Sequence, residues 1–158
     1  MKKLLIVVLL IPLYLNAADF DIGYAHFNLD LGDGYSTGLG SVTAAISTKS
    51  EDGFFSGEIG VYVPIGDEVV DGATITLKSA PFARGFIHLN ENFFLSVGAV
   101  KLDAEACNQR TCLSDSETEG SFGFGASFPV AGTDSRLRIM YETVDDADVI
   151  SVSTKFEF

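Results

Sequence analysis

Two histidines, His26 and His88, are the chain's whole supply of imidazole, so any Ser–His–carboxylate nucleophile must be built around one of them. His26 can be combined with Ser36 or Ser41 and with Asp30, but that spacing matches no catalytic motif. His88 adjoins the Asn90 turn at the opposite end of the strand pattern, so the two rings do not share a site. Cys107 and Cys112 bracket Asn-Gln-Arg-Thr, with no further Cys or His nearby to complete a metal site. In an oxidising compartment such a pair forms a disulfide, and its short loop limits the gain to about 2–3 kcal/mol. No G-x-G-x-x-G, Walker loop, H-E-x-x-H or G-x-S-x-G is present, which leaves nucleotide, zinc-protease and serine-elbow chemistry without a foothold and implies no cofactor.

The remaining chemistry is ionic. Glu58, Lys78, Arg84, Arg138, Glu142, Lys155 and Glu157 alternate with apolar or small residues and are expected on the inward faces of their strands. A second set, Asp30, Asp33, Asp67, Glu68, Asp71, Asp103, Glu105, Asp115, Glu117, Glu119, Asp145, Asp146 and Asp148, crowds four stretches in which Arg110 is the one Lys or Arg. Asp145-Asp146-Ala147-Asp148 lacks the spacing of a calcium loop. The net charge of −12 over 158 residues argues against nucleic acid or an anionic membrane surface as an electrostatic partner. With 47% hydrophobic residues, the chain is too apolar for a disordered acidic tail.

Lys2 and Lys3, an apolar run from Leu4 to Leu15 and the small residues Ala17 and Ala18 read as a secretory signal peptide over 1–17, leaving one domain over 18–158. The run is short of the roughly 20 residues that span a bilayer, and Pro12 interrupts it. Cleavage takes the 10 basic residues to 8 against 22 acidic, and the charge from −12 to −14. It also delivers the cysteines to an oxidising periplasm.

The positioning elements are strands. No later segment has a helical apolar period, whereas β-prone stretches of about ten residues recur, bounded by Gly, Asp, Asn or Ser. Eight are predicted: 20–29, 37–48, 54–63, 73–89, 93–102, 120–128, 135–144 and 149–158, the fourth bent or bulged at Pro81. Connections 49–53, 90–92 and 129–134 are short, while 30–36, 64–72, 103–119 and 145–148 are mostly longer and acidic. That asymmetry, with strands near the 9–11 residues that cross hydrocarbon at a tilt, predicts an all-β, eight-stranded antiparallel up-and-down transmembrane β-barrel. Phe122, Phe124, Ala126 and Phe128 then face lipid, opposite Ser121, Gly123, Gly125 and Ser127. Leu137, Ile139 and Tyr141 likewise oppose Arg136, Arg138, Met140 and Glu142, and Ile150, Val152, Phe156 and Phe158 oppose Ser151, Ser153, Lys155 and Glu157. Backbone amides in hydrocarbon all need partners, so the first strand must close on the eighth.

The closing strand ending in Lys-Phe-Glu-Phe, the Leu137-Arg138-Ile139-Met140-Tyr141-Glu142 strand and the acidic Asp145-Asp146-Ala147-Asp148 resemble the small outer-membrane β-barrel-domain family of Gram-negative bacteria, which includes opacity-protein-like surface antigens. The resemblance implies a cell-outer-membrane protein whose Phe156 and Phe158 signal to the barrel-assembly machinery. It also implies roles in membrane integrity, surface contact or adhesion.

An eight-stranded barrel has an interior that side chains fill, so the lumen charges are expected to pair into a plug: a non-enzymatic surface platform and not a diffusive pore. Ser96, Gly98, Gly123 and Gly125 leave room for Arg and Lys reaching across. The acidic connections would sit beside lipopolysaccharide phosphates, bridged by divalent cations. Two alternatives compete: a lipid A-modifying enzyme built on His26, and a secreted soluble β-sandwich.

Overall fold

The computed structural model describes residues 18–30, 36–51, 53–70, 72–108, 111–145 and 147–157. The predicted signal segment, Asp33, Asp71, Arg110, Asp146 and Phe158 lie outside the described residues.

Among the described residues ten strands form one antiparallel sheet: β1 (Asp19–Asp30), β2 (Ser36–Lys49), β3 (Phe55–Ile65), β4 (Glu68–Val70), β5 (Ala73–Leu77), β6 (Ala80–His88), β7 (Phe93–Cys107), β8 (Cys112–Pro129), β9 (Ser135–Val144) and β10 (Ala147–Phe156). Eight of them close a cylinder in the order β1-β2-β3-β6-β7-β8-β9-β10, and β10 returns to β1 from Phe20↔Phe156 to Leu29↔Ala147. Closure gives each barrel strand a neighbour on both sides, as a backbone in hydrocarbon requires. It also removes the β-sandwich alternative.

Side chains alternate across the wall because the strand period is two. Phe20, Ile22 and Tyr24 on β1 are exposed while Asp21, Ala25 and Phe27 are buried. Phe122, Phe124 and Phe128 are exposed on β8, as are Leu137 and Ile139 on β9 and Ile150, Val152 and Phe156 on β10. Ser121, Arg138, Met140, Glu142, Ser151 and Ser153 on the same strands are buried. A continuous outer belt of large apolar groups around a polar, ionic interior is the arrangement of a barrel solvated by lipid.

The three short turns lie at one end. Between β6 and β7, Asn90 Oδ1 accepts from the amides of Asn92 (2.8 Å) and Phe93 (2.9 Å), and Gly132 between β8 and β9 takes a φ of 80° that favours glycine.

Two expected connections are in fact strands. The segment 103–119 is not a loop: β7 and β8 continue as a ladder to Cys107↔Cys112, and β4 and β5 form a small hairpin whose β5 pairs with β7 from Thr74↔Cys107 to Leu77↔Ala104. This four-stranded sheet rises beyond the barrel: Ile75 and Leu77 of β5 still pack on the lumen core, but β8 from Cys112 to Thr118 is exposed on both faces. Apolar alternation therefore carries no information on that arm, which reads as polar connection.

The predicted fourth strand is β5 followed by β6, interrupted at Lys78–Ser79 rather than at Pro81. Lys78 N still donates to Asp103 O at 2.7 Å, and Pro81 holds its place opposite Val61. The interruption reverses the faces: Ile75 and Leu77 are buried before it, Ala80, Phe82 and Arg84 after it.

Replacing Ile139, which is 43% exposed in the belt, by arginine should cost about 2–4 kcal/mol in equilibrium unfolding from lipid vesicles if it sits near the bilayer midplane. The same change at Leu113, 76% exposed on the projecting sheet, should stay within about 0.5 kcal/mol.

Candidate functional site

Four barrel strands deliver a charge cluster to the middle of the lumen. Glu58 (β3), Arg84 (β6), Arg138 and Glu142 (β9) and Asp21 (β1) all occupy inward positions and are buried. Glu58 is the hub. Its Oε1 accepts from Arg84 Nε at 2.9 Å and Arg138 Nη2 at 3.1 Å, and its Oε2 from Arg138 Nη1 at 2.6 Å. Arg84 Nη1 reaches Glu142 Oε2 at 2.8 Å and the Tyr62 hydroxyl at 3.0 Å. Arg138 Nη2 reaches Asp21 Oδ2 at 3.1 Å, which also accepts from Ser153 Oγ at 3.2 Å. Lys155 and Asp19 pair at 2.7 Å nearer the turn end.

The guanidinium faces are used as well. Arg84 lies 4.0 Å over the Phe82 ring and Arg138 5.2 Å over Phe86, so both cations are stacked as well as hydrogen-bonded. Gly98, opposite Arg84 across the β6–β7 ladder, makes the space: a Cβ there would stand 2.6 Å from Arg84 Cβ. Gly125 makes room for the Phe94 ring instead of a charge.

Apolar layers lie on either side of the ions. Towards the projecting sheet, Phe27, Leu39, Leu77, Val100, Val144 and Val149 pack with Tyr62 and Phe82; towards the turns, Phe86, Phe94 and Met140 form a second cluster. The lumen is filled by side chains.

The structure brings together Glu58, Arg84, Arg138 and Glu142, and puts Lys155 on the same inner face. It separates Lys78 and Glu157 from them. Lys78 falls at the break between β5 and β6, where the reversed faces turn it outward, and it pairs with Glu105 at 2.9 Å with its side chain 54% exposed. Glu157 follows the end of β10 and is exposed at the turn-end rim. Asp19, Asp21 and Tyr62 were not singled out from the sequence. The signal was there in parity: Asp21 shares a face with Gly23 and Ala25 between Phe20, Ile22 and Tyr24, and Tyr62 shares one with Glu58.

The projecting sheet is held by its own contacts. Cys107 and Cys112 are disulfide-bonded across the β7–β8 tip, so the sulfurs beside Glu105 are not free thiolate ligands for a metal ion. Hydrogen bonding to Lys78 holds the Glu105 carboxyl below its usual range, and Ser116 does the same for Asp103. From Leu113 to Thr118, β8 pairs with β7 alone among the described residues, which leaves an acidic strand edge open to solvent.

The His26 triad is not assembled. His26 faces outward on β1, whereas Ser41 is buried in the lumen and its hydroxyl donates to Ala25 O at 3.3 Å. Asp30 and Ser36 are cross-strand partners, about 13 Å along β1 from His26 at the usual rise per residue.

No protein-family model and no curated protein sequence matches the chain. Solved structures do. The attachment invasion locus protein Ail of Yersinia pestis is 19% identical, with 90% of this chain and 98% of that one covered and a TM-score of 0.60. The Neisserial surface protein A, NspA, is 13% identical over 89% and 97% of the two chains, with a TM-score of 0.62. Ail has also been solved with the heparin analogue sucrose octasulfate, in a structure 17% identical to this chain over 90% of it and 98% of the other, with a TM-score of 0.62. The shared fold is the eight-stranded outer-membrane β-barrel.

Replacing Glu58 by alanine leaves two buried guanidiniums without their shared partner and should destabilise the barrel by about 3–5 kcal/mol. Lys78→Ala, which loses an exposed pair, should cost less than about 1 kcal/mol. Guanidinium titration in lipid vesicles, read by gel mobility of folded and unfolded forms, compares them directly.

Proposed function

We propose that this chain is a non-enzymatic surface platform of a Gram-negative outer membrane. Its closed lumen would act as a structural plug and its acidic sheet as an extracellular contact surface. The observation that carries the reading is the Arg84–Glu58–Arg138 network between two apolar layers, which leaves a filled interior where a pore would need a continuous aqueous path. With the turns towards the periplasm, the β4-β5-β7-β8 sheet stands outside the cell.

That sheet fits contact work by two features. Its open β8 edge from Leu113 to Thr118 offers unpaired backbone groups for strand addition. Asp115, Glu117 and the neighbouring acids favour basic partners over polyanions. The Ail complex with a polysulfated sugar therefore does not transfer here. Adhesion and membrane integrity both remain uses of such a platform. Divalent cations would bridge its carboxylates to lipopolysaccharide phosphates.

Closure by the C-terminal strand supports an assembly role for its end. Phe156 faces outward on β10, the strand that completes the ring with β1, and Phe156 with Phe158 would be the signal read by the barrel-assembly machinery. Residues 1–17 would be removed on export, leaving 18–158.

In planar bilayers the purified protein should insert without producing stepwise conductance, and Glu58→Ala should be the variant that introduces it. Steady single-channel steps from the unmodified protein would contradict the plug. On intact cells, protease should cut the sheet between Cys107 and Cys112, and sucrose octasulfate should show no saturable binding.

A further inference from the structure

The turn-end mouth of the lumen contains a cavity of about 190 Å³. That is many times the roughly 10–15 Å³ that one water needs on the same measure, enough for one small ion with part of its hydration. Phe86 and Phe94 form its inner wall, so it is a dead end and not the start of a channel.

The walls are basic in a chain that is strongly acidic overall. Lys49, Arg136, Arg138 and Lys155 line the cavity, against Glu91 and Glu157 at the exposed rim. Two of the four cations already have carboxylates: Lys155 has Asp19, and Arg138 has Asp21 and Glu58. Lys49 and Arg136 form no ion pair among the described residues. Arg136 instead donates to neutral acceptors, Ser127 Oγ and O at 2.9 Å each, Glu91 O at 2.7 Å and Asn92 Oδ1 at 3.5 Å.

Two buried donors in the lining are also unspent. Arg138 Nε and Ser47 Oγ have no hydrogen-bond partner, on residues 7% and 2% exposed. A buried donor left unpaired costs about 1–3 kcal/mol, which a bound acceptor recovers. Beside them Ser56 Oγ and His88 Nε2 lie 2.8 Å apart, a polar pair on the same wall. Donors approaching from β2, β6 and β9 match an acceptor with oxygens in several directions better than a planar or neutral group.

We propose that this mouth binds a small tetrahedral oxyanion, a phosphate or sulfate group, between Lys49, Arg136, Arg138 Nε and Ser47 Oγ. The proposed function enters only in naming the periplasm as the compartment the mouth faces. Binding itself does not depend on it. The ion could be free in solution or carried on a phospholipid headgroup, since both present the same oxygens.

The test is calorimetric titration of the folded barrel, in a detergent without phosphate or sulfate, with inorganic phosphate and separately with glycerol phosphate. Saturable binding that weakens about tenfold in both K49Q and R136Q, and is unchanged in K78Q at the far end, supports the site. Tighter binding of inorganic phosphate assigns a free ion; tighter binding of glycerol phosphate assigns a headgroup. Absence of saturation, meaning that water alone satisfies the donors, overturns the proposal, as does equal weakening in K78Q or no change in K49Q, either of which would put the anion elsewhere. Lys49 lies outside the central network, so K49Q keeps the test decisive if R136Q fails to fold, and heat-modifiable gel migration checks each variant.

Discussion

A single carboxylate clamped between two guanidiniums, Glu58 between Arg84 and Arg138, organises the interior. Its position follows from the wall. A strand in hydrocarbon must have every amide paired, so the sheet closes; a closed sheet facing lipid puts bulky apolar groups outside, and alternation then commits the opposite positions to the inside. Arginines placed there have no solvent to turn to. They survive only with carboxylates and ring faces arranged around them, which Glu142, Asp21, Phe82 and Phe86 supply. The arrangement blocks the lumen and ties β1, β3, β6 and β9 across the ring at once.

The same closure divides the molecule electrostatically. The projecting sheet carries Glu105, Asp115 and Glu117, whereas the turn-end mouth gathers Lys49, Arg136, Arg138 and Lys155. A net charge of −12 conceals this separation. Between the two ends lie the apolar layers around Phe27 and Phe86.

Sequence was most informative where the two environments of a strand differ most. On β8, β9 and β10 one face meets acyl chains and the other meets charge, and alternation located the strands and their faces, while the need to pair every amide in hydrocarbon gave the closing pair. It failed where both faces are wet. In the ladder from Asp103 to Glu119 the β8 arm is exposed on both faces from Cys112 to Thr118, and its pairing rests on backbone bonds, the Cys107–Cys112 bridge and side-chain pairs that no periodicity announces. Lys78 shows the other failure: across the break at Lys78–Ser79 the pairing with β7 slips by one residue, from Leu77↔Ala104 to Phe82↔Val100, which reverses the parity, so a rule that correctly turns Arg84 inward assigns Lys78 to the wrong side. Which acid meets Arg138 also lay beyond pattern, because β3 and β9 meet only across the ring, whereas Glu58 and Arg84 are direct cross-strand partners on the adjacent β3 and β6.

The central claim is that acyl chains solvate the phenylalanine face while the charges stay within. The chain has no tryptophan, so one can be introduced without background, at Phe124 in the outer belt or at Phe86 beneath Arg138. In vesicles of brominated phospholipid, Phe124→Trp should be strongly quenched and Phe86→Trp should not. Quenching at Phe86 with protection at Phe124 would mean that the inside and the outside have been exchanged.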